Sequence, residues 1–200
     1  MDTERAGLWL GIAAAVWTLL AIVAATLVSP SFDWSVNALS NLGAHTAVAT
    51  PTTRLLFDGG LVTGGLAGAA FAATLVRLRA NALEGTGAII AGFALLSMAG
   101  VGVFPQSTAL HFPAAAGFYL LFSVAAWAYG AGNVQAGARA RGVATLLLGT
   151  AHLGMWLAWS ATGAFARGGV AVPEFAGALA AAAWVVWTAR WHLVDRRAGP

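Results

Sequence analysis

Six stretches of mostly apolar residues follow one another along this chain, separated by short polar segments that contain glycine or proline. A helix needs about 20 apolar residues to cross the hydrocarbon core of a bilayer. The pattern therefore predicts an all-α fold, a single bundle of six transmembrane helices that covers residues 1–200. The predicted spans are 8–29, 51–76, 87–104, 113–131, 142–161 and 173–191.

Helix starts can be recognised at three of these spans. Pro51, Pro113 and Pro173 fall where a first helical turn would lie. Proline is tolerated there because the N–H group that it lacks would have no partner within the helix. Thr50 is a suitable N-cap before Pro51, and Glu174 follows Pro173, where a carboxylate is favoured by the positive end of the helix dipole.

The composition indicates a membrane protein. Hydrophobic residues make up 60% of the chain and charged residues only 8%, whereas a soluble domain carries about a quarter charged residues. The absence of cysteine excludes disulfides and thiolate metal sites. The formal net charge of +3 comes from arginines scattered over short loops, so no nucleic-acid partner is predicted. We expect a multi-pass protein of the cell membrane, surrounded by membrane lipid.

The distribution of arginine predicts the orientation. Six spans place both termini on one side of the membrane, and cytoplasmic loops are enriched in positive charge. Most of the arginines fall on the side of the termini, namely Arg5, Arg77, Arg79, Arg139, Arg141, Arg190, Arg196 and Arg197. The opposite side has Arg54 and Arg167. Both termini are therefore predicted to be cytoplasmic.

The second span contains glycines four residues apart, at Gly60, Gly64 and Gly68. Glycines at this spacing form a ridge of small residues that allows a second helix to approach closely within a membrane. Two interpretations are open. The ridge either packs against another helix of the same subunit or forms the contact face of a homo-oligomer.

One group of polar residues lies at the outer ends of the predicted helices, on the side opposite the termini. It combines Ser40 and Asn41 of the long connection 30–50 with Asp58 of the second span and His111 just before the fourth. Polar groups at membrane depth are costly and commonly functional. We predict that these four residues form a ligand-binding cluster, in which Ser40, Asp58 and His111 are the candidate catalytic residues.

Simpler interpretations exist for the same end of the bundle. Arg54, one helical turn before Asp58, would neutralise that acid. His45 is interpreted as a solvated loop residue. Leu39 and Leu42 would anchor the long connection, which is predicted to be either a free loop or a short interfacial helix.

A second group of polar residues lies near the middle of the predicted helices. His152 is its ionisable member, and we include it among the candidate ligand-binding residues. Hydroxyl residues at the same depth are Thr18, Thr63, Ser97 and Ser123. The structural interpretation of His152 is a neutral imidazole hydrogen-bonded to one of these hydroxyls. The functional alternative is a proton relay or a ligand contact.

The sequence assigns no cofactor. Bis-histidine haem needs two histidines at one depth on facing helices, whereas His111 is predicted at a helix end and His152 at a helix centre. A zinc site needs three or four ligands. It would require Asp58, His111 and either His45 or Glu174, and no metal-binding spacing is present. We therefore predict no metal site and leave the cofactor unknown.

Three segments of the chain form a recognisable pattern. Residues 38–43 read Ala-Leu-Ser-Asn-Leu-Gly, and residues 56–59 read Leu-Phe-Asp-Gly. Residues 102–105 read Gly-Val-Phe-Pro and are followed by His111. With them the chain resembles, over nearly its whole length, the prokaryotic six-span family catalogued as domain of unknown function 998. The resemblance implies six spans and no assigned activity.

The chain departs from that family pattern at three positions. The pattern has Asp at the position of Asn41 and Asn at the position of Asp58, so the acid and the amide are exchanged. This exchange implies that positions 41 and 58 face each other. The acidic position after Phe-Pro is occupied by Gln106, which removes a charge there.

Three functions are compatible with these observations. The first is binding of a small or lipidic ligand in a polar pocket open to the outer leaflet. The second is an intramembrane Ser/Asp/His hydrolase, with or without a metal, broadly similar to the ceramidase and progestin-receptor superfamily. That group has paired histidines in a late helix, where this chain has only His152. The third is a subunit or scaffold of a membrane complex.

The predicted orientation can be tested with reporter fusions. A reporter that is active only in the cytoplasm should be active after Pro200 and silent after Gly168, because arginine-rich loops stay in the cytoplasm. Silence at Pro200 with activity after Gly168 would contradict the predicted topology.

Overall fold

The computed structural model describes residues 3–44, 46–163 and 169–198. Within these ranges the chain forms six α-helices and one short 3₁₀ helix, without a strand. The helices are α1 (Thr3–Leu27), α2 (Pro51–Leu78), α3 (Ala82–Val103), α4 (His111–Gln135), α5 (Arg139–Ala161) and α6 (Ala171–Ala198), and the 3₁₀ helix is η1 (Leu39–Leu42). The predicted all-α fold is confirmed. His45 and Arg167 lie outside the described residues.

All six described helices are long and apolar enough to cross a bilayer. Each of them extends beyond its predicted span at the end of the bundle where the termini lie. For example, α3 begins at Ala82 rather than at residue 87, and α6 continues to Ala198 rather than ending at residue 191. The apolar pattern stops at the first charged residues, whereas the backbone hydrogen bonds of a helix continue through them.

The predicted helix starts are confirmed. Pro51, Pro113 and Pro173 all lie in first turns of α2, α4 and α6. The Thr50 side chain caps α2 by accepting a hydrogen bond of 3.1 Å from the backbone N–H of Thr53, and the Thr53 hydroxyl oxygen accepts one of 2.7 Å from the N–H of Thr50. These reciprocal bonds satisfy N–H groups that the start of a helix leaves unpaired.

Consecutive helices pack side by side from α1 to α5, and α6 packs back onto α1. The connection 28–50 lies at one end of the bundle, which we call the loop end; α1 begins and α6 ends at the opposite, terminal end. Helix α5 packs mainly against α4 and makes little contact with α6. A seam between α5 and α6 therefore interrupts the ring of helices.

Trp184 of α6 lies at the centre of the bundle and is 1% exposed. Its ring meets those of Phe71 in α2 and of Phe122 and Tyr129 in α4 edge-on, with ring centroids 5.4 to 6.5 Å apart. Edge-to-face contacts between aromatic rings add to the stabilisation that comes from burial alone. Through Trp184, helix α6 thus contacts α2 and α4 in addition to packing against α1.

The glycine ridge of α2 packs against other helices of the same chain. A Cβ atom added at Gly60 would collide with Ala21 of α1, and one added at Gly64 would collide with Thr18 of α1. Gly68 faces α3, and all three glycines are buried. The expectation that the ridge contacts a helix is confirmed, within one subunit. A homo-oligomer through the ridge stays a prediction.

Substitution of Gly64 by leucine should lower the midpoint of thermal unfolding in detergent by about 5 °C, because the added side chain forces α1 and α2 apart. The matched control is Gly59→Leu on the same helix, since nothing lies within 4 Å of a Cβ atom added there. Equal effects of the two substitutions would contradict the proposed close contact at Gly64.

Candidate functional site

The connection between α1 and α2 folds back onto the start of α6. Leu39 and Leu42 of η1 are 3% and 0% exposed and anchor the connection as expected. The carbonyl oxygen of Asn37 accepts hydrogen bonds of 3.1 and 3.0 Å from the backbone N–H groups of Val170 and Ala171. Helix η1 is thereby fixed across the loop end, in contact with α1, α2 and α6.

Asp33 organises the part of the connection before η1. Its Oδ1 accepts hydrogen bonds from the hydroxyl and the backbone N–H of Ser35, at 2.6 and 2.8 Å. These bonds hold the pKa of Asp33 below its usual range. The Asp33 N–H in turn donates to Oδ1 of Asn37 at 2.8 Å. The resulting turn positions Asn37 against α6.

Asn41 is a structural residue of η1. Its Oδ1 accepts a hydrogen bond of 2.8 Å from the backbone N–H of Ala38, and its Nδ2 donates one of 2.6 Å to Oε1 of Gln106. The second bond ties η1 to the connection between α3 and α4. Ser40, the preceding residue, is 6% exposed and borders a cavity.

His111 is the first residue of α4, and its Nδ1 lies 2.7 Å from the carbonyl oxygen of Phe104. A carbonyl oxygen only accepts hydrogen bonds, so Nδ1 carries the hydrogen atom and Nε2 of the neutral ring is an acceptor. Pro105 and Pro113 restrict the backbone on either side of His111. The ring is therefore fixed in both position and tautomer.

Glu174 of α6 lies beside His111 and Ser40 on the wall of the same cavity. Its Oε2 accepts a hydrogen bond of 2.6 Å from the backbone N–H of Leu39, which joins η1 to α6. Its backbone oxygen accepts a hydrogen bond of 3.1 Å from the hydroxyl of Tyr119 in α4. This acid was interpreted from the sequence as a helix-dipole residue, but it also connects three elements at the loop end.

The cavity has a volume of about 360 Å³ and lies at the loop end between η1, α4, α5 and the start of α6. A smaller chamber of about 40 Å³ lies towards α1, α2 and α3. Four polar residues that we call the polar wall border both volumes, namely Ser40, His111, Tyr119 and Glu174. The remainder of the larger cavity is mainly apolar, with Phe112, Ala116, Leu120, Leu153, Trp156 and Val170.

Asp58 lies beside Gly43, which follows η1, and is not among the residues that line the cavity. A Cβ atom added to Gly43 would lie 2.8 Å from Cγ of Asp58, and one added to Gly102 in α3 would lie 2.5 Å from its backbone oxygen. Both glycines belong to the segments that carry the family resemblance. Their lack of side chains is explained by the close approach of Asp58.

The structure brings two members of the predicted four-residue cluster to the cavity and places Asp58 beside Gly43, two residues after Asn41. Ser40 and His111 share the cavity, whereas Asn41 bonds to its own turn and Asp58 packs against Gly43. The charge of Asp58 interacts with Arg54, as the simpler interpretation proposed. A direct contact between positions 41 and 58 stays a prediction.

His152 makes the hydrogen bond that was expected from its depth. Its Nδ1 lies 2.8 Å from the hydroxyl oxygen of Ser123. Its ring stacks on Tyr119 at a centroid distance of 5.9 Å and meets Phe122 edge-on at 5.0 Å. His152 is not among the residues that line the cavity, but it supports Tyr119, which does line it.

A buried polar network at the terminal end was not foreseen. Glu84 of α3, 1% exposed, lies 3.7 Å from Arg141 of α5 and accepts a hydrogen bond of 3.1 Å from Asn133 of α4. The Arg141 guanidinium also donates to Asn133 and stacks on the ring of Trp191 in α6, 3.3 Å from its centroid. Nearby, Tyr129 and His192 are hydrogen-bonded at 3.1 Å. The network ties four helices together.

Three residues that line the cavity were not recognisable as site residues from the sequence. Tyr119 and Trp156 resemble ordinary apolar span residues in a sequence rich in aromatic side chains. Gln106 was noted only as a departure from the family pattern. Within the described ranges, no three His, Asp or Glu side chains come together in a way that could hold a metal ion.

Six helices that are long and apolar enough to cross a bilayer define this chain, over its described residues, as a polytopic membrane protein. A family model described as a protein of unknown function (DUF998) matches residues 12–191, and the chain belongs to that family. No curated protein and no solved structure matches the chain. The family assignment confirms the resemblance inferred from the sequence and leaves the activity to be argued from the site.

Substitution of Gly43 by alanine should lower the midpoint of thermal unfolding by about 2–4 °C, because the new methyl group meets the carboxylate of Asp58. The φ of −95° at Gly43 is compatible with alanine, so backbone strain contributes little. In an Asp58→Ala background the same substitution should cost much less. An equal loss in both backgrounds would show that Asp58 is not the obstacle.

Proposed function

We propose that this protein binds a small or lipidic ligand in the cavity at the loop end. The observation that carries the proposal is the division of the cavity into a polar wall at one side and an apolar remainder of aliphatic and aromatic side chains. Ligand sites commonly combine a mostly apolar lining with a few converging polar groups. This division suits a molecule with a polar head and an apolar body.

The seam between α5 and α6 supports entry of the ligand from the side. Leu153 and Trp156 of α5 and Glu174 of α6 border the cavity from two helices that make little contact with each other. A molecule dissolved in lipid would reach the polar wall through this seam without crossing water. With the orientation inferred from the arginines, the seam lies in the outer leaflet of the cell membrane.

A hydrolase is the second candidate, because Ser40 and His111 border the same cavity. The backbone oxygen of Phe104 fixes the His111 tautomer that leaves Nε2 as an acceptor, as a general base requires. Against this candidate, the described residues contain no hydrogen bond between Ser40 and His111, and Asp58 is not among the residues that line the cavity. Covalent labelling of Ser40 by a fluorophosphonate would favour the hydrolase over simple binding.

Filling the cavity should abolish binding. Ala116→Phe places a large ring among the lining residues, and we expect at least about a tenfold loss of labelling by a photoreactive dodecyl alcohol in lipid nanodiscs. Ala158→Phe is the matched control, since Ala158 is exposed on α5 and does not line the cavity. Unchanged labelling of the Ala116 variant would exclude the cavity as the binding site.

A further inference from the structure

The charge on the cavity wall limits which ligand it can take. Glu174 is the acidic residue among the described lining residues, and no described arginine lines the cavity. The chain contains no lysine. Among the described residues, a phosphate or carboxylate head would therefore meet an acid without a cation to balance it, which is unfavourable in a low-dielectric site.

The carboxyl group of Glu174 has unused capacity as a hydrogen-bond acceptor. Its Oε2 binds the N–H of Leu39, and Oε1 has no hydrogen-bond partner among the described residues. A carboxylate accepts about four hydrogen bonds in total. The described part of the chain also places no cation against it, since the ion pair described there joins Arg141 to Glu84 at the other end.

The other members of the polar wall add further acceptors. In the neutral ring of His111, Nε2 is an acceptor because Nδ1 donates to Phe104, and the hydroxyl of Ser40 both donates and accepts. The hydroxyl of Tyr119 already donates its hydrogen atom to the backbone oxygen of Glu174. A complementary head group is therefore positively charged and rich in hydrogen-bond donors.

Aromatic rings extend the polar wall into the cavity. Tyr119 and Trp156 lie with ring centroids 4.6 Å apart at 54°, and Phe112 lines the same cavity. The faces of such rings attract cations, most strongly where water is excluded. A cationic head near Glu174 would thus be favoured by the rings as well as by the carboxylate.

We infer that the ligand is an amphiphile with a protonated primary amine. Its ammonium group would bind the carboxylate of Glu174, with Nε2 of His111 and the hydroxyl of Ser40 as further acceptors. Its chain would lie along Leu120 and Leu153. An ammonium group has three donors and no acceptor, which matches this set of groups. The inference rests on the proposed function, because it names the class of ligand for the same cavity.

A competition experiment tests the head group. Dodecylamine, dodecanol, dodecanoate and butylamine compete against the photoreactive dodecyl alcohol in nanodiscs of zwitterionic lipid. Dodecylamine should compete about tenfold better than dodecanol, as one added charge-assisted contact predicts, and dodecanoate should compete less well than dodecanol. Butylamine should compete weakly, because it lacks the apolar body that the cavity would bury.

The Glu174→Gln variant tests whether the carboxylate of Glu174 is responsible for the preference for the amine. Glutamine keeps an oxygen for the N–H of Leu39 but carries no charge, so the preference for dodecylamine over dodecanol should be lost. Comparison within one lipid removes differences in partitioning between the two head groups. Glu4→Gln, at the terminal end of α1, is the matched control and should keep the full preference.

The outcomes separate the two proposals. Equal competition by amine and alcohol in the wild type, or a preference that survives Glu174→Gln, would overturn the amine inference and leave the binding cavity intact. If butylamine competes as well as dodecylamine, the ligand is a small amine, and the inference that it is an amphiphile is overturned. Failure of all three dodecyl compounds to compete would overturn both the amine inference and the proposed function.

Discussion

Hydrocarbon supplies no hydrogen-bond partners, so each polar side chain of this bundle must find its partner within the protein or at a cavity. Described side-chain hydrogen bonds accordingly occur at the loop end, at the terminal end, and within the spans, as between Ser123 and His152 or between Trp17 and Thr63. Helices α1 and α2 approach each other at Gly60 and Gly64, where the missing side chains make room for Ala21 and Thr18.

The two ends of the bundle differ in the partners of their acidic side chains. At the terminal end, Glu84 is bonded to Asn133 and paired with Arg141, and the guanidinium is covered by Trp191. At the loop end, Glu174 is held through a single backbone N–H and borders open volume. A paired acid is typical of a structural clamp, whereas an acid at a cavity is typical of a site that awaits a partner.

Local signals in the sequence accounted for the spans, the helix starts and the glycine ridge, because each depends on neighbouring residues. The network around Glu84 was missed for a physical reason. Glu84 and Arg141 lie in extensions beyond the apolar runs and read as loop charges, and only the packing of α3, α4 and α5 brings them together. The cavity likewise depends on how α5 and α6 separate, which no short motif encodes.

The seam between α5 and α6 also bears on how the chain assembles. Contacts from α1 to α5 join helices that are neighbours in sequence, so they can form in the order of synthesis. Glu174 belongs to α6, the last helix, whose packing against α1 closes the bundle over the longest separation in sequence. The cavity therefore exists only after α6 has docked, and we expect its occupancy to report completed folding.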